Sequence, residues 1–189
     1  MAPEPALATG FTIEAWIKPG GNPATPGWRP AQVIFSALDV VAGDRLHGFV
    51  LVLHREGGTT VPPVAPGVRV VVGTGNPEGG NKEAFVALPP GGPGDAWRHV
   101  VATYDPGAGP GAETLRLSVS SPDAPLDVTT QGGSYRRNDN QRMRIGAGRR
   151  TVDPTAANFF AGRIDEVALY DVALDANRIQ AHFLAAQPG

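Results

Sequence analysis

One stretch near the C-terminal end limits what this chain can fold into more than any other. Residues 159–174 read Phe-Phe-Ala-Gly-Arg-Ile-Asp-Glu-Val-Ala-Leu-Tyr-Asp-Val-Ala-Leu. Side chains of an extended chain alternate between two faces. Ile164, Glu166, Ala168 and Tyr170 then share one face, and Asp165, Val167, Leu169 and Asp171 the other. Apolar residues occur on both, which predicts a central strand covered on each side. Gly162 opens the strand. Residues 171–175 close it and lead into a short helix capped by Asp175, with Ile179, Phe183 and Ala186 on one face.

A second alternation lies near the start. Phe11, Ile13, Ala15 and Ile17 face one way, and Thr12, Glu14, Trp16 and Lys18 the other. Between these two strands further extended runs are predicted over 32–38, 48–54, 68–72, 82–88, 97–105, 115–120 and 142–146. The 25 Gly and 19 Pro fall between the apolar runs, too many for a helical protein and too dispersed for a collagen-like one. Turns or loops are expected at 20–30, 42–44, 57–66, 73–80 and 89–94. The reading is an all-β chain, an antiparallel two-sheet β-sandwich of jellyroll type with one short C-terminal helix. Residues 1–9 read as a linker end, 10–186 as one domain and 187–189 as a tail.

Composition narrows the function classes. Sixteen basic against eighteen acidic residues give a net charge of −2, which is no nucleic-acid signature. The absence of cysteine excludes a disulfide framework, a cysteine nucleophile and a cysteine zinc site. No stretch reaches the length of a membrane-spanning helix, so no membrane insertion is expected.

Four motifs in order carry a family resemblance: Gly10 with Phe-Thr-Ile-Glu-Ala-Trp-Ile-Lys-Pro after it, Trp97-Arg-His-Val-Val-Ala-Thr-Tyr-Asp, Arg142-Met-Arg-Ile-Gly, and the closing stretch itself. Together they resemble the LamG-like jellyroll domains of the concanavalin A-like lectin/glucanase group. The resemblance implies that the first and last strands pair. It also implies a binding module cut from a larger bacterial extracellular or cell-surface protein. Its partner would be a glycan or a protein surface, and nucleic acid is not expected. The alternatives are a structural or interaction domain of a multidomain enzyme or toxin without its own ligand, and a glycan-cleaving enzyme.

The last alternative has little support in the residues. Glycosidases need two carboxylates across the scissile bond, and the family's glucanases carry them on a Glu-x-Asp-x-(x)-Glu strand. No Glu here is followed two residues later by Asp, and Asp165 and Glu166 are expected on opposite faces. No enzyme activity is expected. Glu14 and Glu166 are expected to meet Arg163, Arg178 or backbone donors. His47, His54, His99 and His182 show no zinc-binding spacing. Relatives often carry calcium, so calcium is a candidate cofactor. Asp39, Asp44, Asp105, Asp139 and Asp153 are its scattered loop ligands, without a compact Asp-x-Asp-x-Asp loop.

The remaining polar cluster is Tyr135, Arg136, Arg137, Asn138, Asp139 and Asn140. An aromatic face, planar guanidinium groups and amides are the groups that bind sugars and their acidic substituents. These six residues are the candidate ligand site, on a loop beside a rigid scaffold. Replacing Tyr135 and Arg137 by Ala is expected to remove binding and leave thermal stability nearly intact.

Overall fold

Alternation makes Phe11–Pro19 the first strand, β1, and its Phe11, Ile13, Ala15 and Ile17 are fully buried. The computed structural model describes residues 7, 10–20, 31–41, 45–55, 65–76, 80–88, 96–109, 111–120, 126–140, 142–150 and 153–186. Most of the loops expected at 20–30, 42–44, 57–66 and 89–94 lie outside them. The next strands are β2 (Ala31–Ser36), β3 (Asp39–Val41), β4 (Arg45–His47), β5 (Phe49–His54), β6 (Gly67–Val72) and β7 (Lys82–Ala87). Then come β8 (Arg98–Asp105), β9 (Thr114–Val119), β10 (Leu126–Gln131), β11 (Arg144–Ile145), β12 (Gly148–Arg150), β13 (Asp153–Ala157) and β14 (Gly162–Tyr170). Helix α1 (Ala176–Ala185) follows, and the Asp175 carboxylate accepts from the Arg178 backbone N–H at 2.8 Å.

The strands form two five-stranded antiparallel sheets, ordered β10-β9-β8-β1-β14 and β11-β2-β5-β6-β7. Their facing sides supply one apolar core. Phe11, Ile13, Ile17, Leu115 and Leu117 meet Ile34, Phe49, Leu51, Leu53 and Val68, all of them at most 2% exposed. Each such side chain contributes about 1.5–3 kcal/mol by leaving water. Mostly-β content, two antiparallel sheets and one C-terminal helix are the expected sandwich. Leu7, assigned by sequence to the leading segment, is 5% exposed and packs into this core.

The first and last strands pair as expected, Thr12 opposite Tyr170 and Ile17 opposite Ile164. Two features of β14 differ from the sequence reading. It is an edge strand and half-buried, not central. Its faces also do not alternate throughout, because the register shifts between Glu14 and Trp16 and leaves Glu166 and Val167 against Ala15. Glu166 sits in the left-handed region at φ 48° and is that extra residue. The bulge turns the strand over. Ile164 before it and Val167 and Leu169 after it therefore all pack on the core.

Residues 142–146 yield only the two-residue β11, hydrogen-bonded to β2. The small hairpins β3–β4 and β12–β13, and strand β10, have no counterpart in the sequence reading. The Val33 N–H donates to Asn158 at 2.8 Å, fixing the end of β13 to β2.

Candidate functional site

After β10 the chain takes no regular structure from Gly132 to Asn140, yet it is pinned along its length. The Gly132 N–H donates to the Glu113 carbonyl at 2.8 Å, and the Tyr135 N–H to the Tyr104 hydroxyl at 2.9 Å, both on the first sheet. The Arg136 N–H then donates to Gly73 O, and its carbonyl accepts from the Gly48 N–H, each at 2.7 Å, on the second sheet. Residues 132–140 are thus a strap across one end of the sandwich. Glycine is required where the strap crosses β5. Gly48 has φ 83°, and a Cβ there would lie 1.9 Å from the Ala37 carbonyl oxygen and 2.8 Å from Asn138 Cβ.

The six candidate residues divide between pinning the strap and lining a cleft. Asn138 is fully buried: its amide donates to Ala37 O at 2.6 Å and its side-chain oxygen accepts from the Asn140 N–H at 2.9 Å. Asn140 donates from its amide to the Asp39 carboxylate at 3.2 Å. These two amides are spent on the protein itself. Tyr135, Arg136, Arg137 and Asp139 line a cleft of about 610 Å³.

The Tyr135 ring packs edge-on to Phe11 with centroids 5.0 Å apart and tilts against Tyr104 at 5.7 Å. Its contacts with the core overturn the expectation that Tyr135→Ala would spare stability. Arg137 Nε lies 3.0 Å from Asp139 Oδ1.

Ser134, which opens the polar stretch, also lines this cleft, and sequence reasoning missed Tyr104 and Glu113 among its polar residues. Glu113 is 5% exposed and accepts from the Ser134 hydroxyl at 2.8 Å and the Gly111 N–H at 2.7 Å. The Ser134 bond, followed by backbone donors, holds its carboxyl below the usual range. Burial, then the Glu113 and Asp105 charges, push Tyr104 up to about 12. No local pattern signals Glu113. It reaches the cleft because β9 runs beside β8 and the strap folds back over both.

A second buried polar cluster lies on the outer side of the first sheet. Ionised Glu14 accepts from His99 Nε2–H at 2.6 Å and from His182 Nδ1–H at 2.9 Å. Trp16, His99 and Phe183 form a three-ring cluster, with Trp16 stacked on His99 at 5.0 Å and on Phe183 at 5.7 Å and those two rings 5.9 Å apart, and Tyr170 lies 5.7 Å from the His182 ring. Burial raises the Glu14 carboxyl, but the His99 and His182 bonds outweigh it and leave the group below the ordinary value. Burial and then Glu14 push Tyr170 up. The expectation that Glu14 meets arginine or backbone donors is corrected: its partners are two imidazoles. Glu166 is exposed, and its N–H donates to the Asp165 carboxylate at 2.9 Å.

The described calcium candidates, Asp39, Asp105 and Asp139, are each engaged by neighbours in the protein. Among the described residues no three histidine, aspartate or glutamate side chains are placed to hold a metal ion. Asp39 binds Asn140, Asp105 accepts from the Gly107 N–H at 2.8 Å, and Asp139 pairs with Arg137. Asp44 lies outside the described residues, as does the Asp153 side chain.

No helix among the described residues is long and apolar enough to cross a membrane. Comparison with curated proteins finds no match. The laminin G-type family model matches residues 2–180, nearly the whole chain. With its two facing antiparallel sheets and paired terminal strands, the chain belongs to the laminin G-like domains of the concanavalin A-like lectin/glucanases superfamily.

Proposed function

We propose that this chain is a non-catalytic recognition module that holds a glycan, or a protein surface of similar chemistry, in the cleft beside the strap. The observation that carries the reading is the convergence there of two tyrosine rings, two guanidinium groups, a serine hydroxyl and two carboxylates from separate elements. Such clefts orient a ligand by a few placed polar groups over a rigid wall. The backbone bonds from Arg136 to Gly48 and Gly73 make this wall rigid. Laminin G-like domains mediate binding and are often extracellular, so we place the module outside the cell, within a larger bacterial polypeptide.

Binding without turnover fits the carboxylates. A glycosidase acid must stay protonated at working pH, which takes a raised pKa. Glu113 is lowered by its donors, and Asp139 is engaged with Arg137. Glu14 lies beneath α1 with both oxygens bonded to imidazoles.

The test is a panel of neutral and acidic oligosaccharides bound to the wild-type chain and to Arg137→Ala. We expect at least one acidic glycan to bind, with affinity falling about tenfold in the variant, as for loss of one charge-assisted contact. Unchanged affinity in the variant would remove the ligand from this cleft. Release of new reducing ends would show catalysis.

A further inference from the structure

We propose that a second cleft, adjoining the first through Arg136, is a site for an oxyanion: a sulfate, carboxylate or phosphate group. This cleft, about 430 Å³, is lined by Val41, Arg45, His47, Thr74, Gly75 and Arg136. Its basic side chains come from two segments distant in sequence. Arg45 and His47 are two residues apart on β4, so they share a face. Arg136 comes from the strap. Main-chain bonds tie both segments to the turn after β6: the Gly75 N–H donates to Leu46 O at 3.0 Å, and the Arg136 N–H to Gly73 O at 2.7 Å.

Three features single this cleft out. Among the described residues no carboxylate lines it, whereas Glu113 and Asp139 balance the arginines of the first cleft. Among the described residues no acid pairs with Arg45, His47 or Arg136. Gly75, at φ 68°, leaves open the space between them: a Cβ there would lie 3.0 Å from Arg136 Cγ and 3.2 Å from His47 Nε2. In a chain of net charge −2, two guanidiniums and an imidazole around one cleft are not general basicity. Guanidinium groups bind planar and tetrahedral oxyanions through paired N–H donors. A fixed framework spares the ligand the cost of assembling them.

The anion has two sources, an acidic substituent on a glycan or a free inorganic ion. The first rests on the glycan reading of the adjoining cleft; the anion chemistry does not. The experiment follows the Gly75 amide and His47 ring resonances by NMR at constant ionic strength. Sodium sulfate is titrated first, then a sulfated hexasaccharide and its desulfated counterpart. The expected result is saturable shifts with sulfate and about tenfold tighter binding of the sulfated sugar. The double variant Arg45→Ala/His47→Ala should abolish both with its unfolding midpoint retained. If it does not fold, Arg45→Gln should show the same loss. Saturation by sulfate with neither sugar binding supports the site, assigns it to a free anion and removes the glycan reading. Sugars binding equally well, with no saturable response to sulfate, overturn the anion site and leave the glycan reading standing.

Discussion

Glu14 shows how much one residue carries. It stands on the first strand, yet its two oxygens join β8 through His99 and α1 through His182, so one carboxylate fastens the C-terminal helix to the sheet. Glu14→Gln leaves one ring N–H facing an amide N–H₂, and a loss of about 2 kcal/mol in stability is expected by chemical denaturation. Because the folded carboxyl lies below its ordinary value, its contribution is present above that value, about 4.3, and fades as pH falls through the lower folded one. Wild type should therefore lose stability at acid pH more steeply than the Gln variant. Tyr135 makes the opposite point. Its hydroxyl is buried with no hydrogen-bond partner among the described residues. Tyr135→Phe should keep the ring packing and raise stability by about 1 kcal/mol, read as a higher Tm. Asn138→Ala should cost about 2 kcal/mol by stranding the Ala37 carbonyl.

Among the elements, β1 was legible in full, because strict alternation leaves one assignment of faces. The sequence of β14 was legible as a strand but misleading in its faces. A bulge adds one residue without any mark in a run of apolar and acidic side chains, and Glu166 is no glycine to advertise φ 48°. Glu166→Gly should be tolerated, whereas Glu166→Val, whose branched side chain resists that conformation, should cost about 1 kcal/mol more. The polar cluster at 135–140 was legible as unusual chemistry, but which of its groups serve the fold was not. Asn138 is spent on Ala37, a residue 101 positions away, and only the crossing of the strap over β5 creates that need. The clefts were half legible for the same reason: Arg136 and Arg137 stand in a marked cluster, while Glu113, Arg45 and His47 join them through pairings distant in sequence.

For the whole molecule, the paired terminal strands and the strap divide the work. Strands β1 and β14 close the first sheet, and α1 covers its outer side through Trp16, Phe183 and Ile179. Removing residues 175–189 should expose Trp16, shift its fluorescence to the red and lower the Tm; an unchanged Tm would contradict that closure. The strap crosses the far end of the same scaffold and carries the proposed recognition site without regular structure of its own. The measurement that tests this division most directly is an amide chemical-shift map of the isotope-labelled chain, recorded as the best-binding acidic oligosaccharide is added. Saturable shifts are expected at 113, 134–139 and 75, with the core strands and α1 silent. Shifts concentrated on α1 or on the outer side of β5 and β6, with the strap unmoved, would contradict this division.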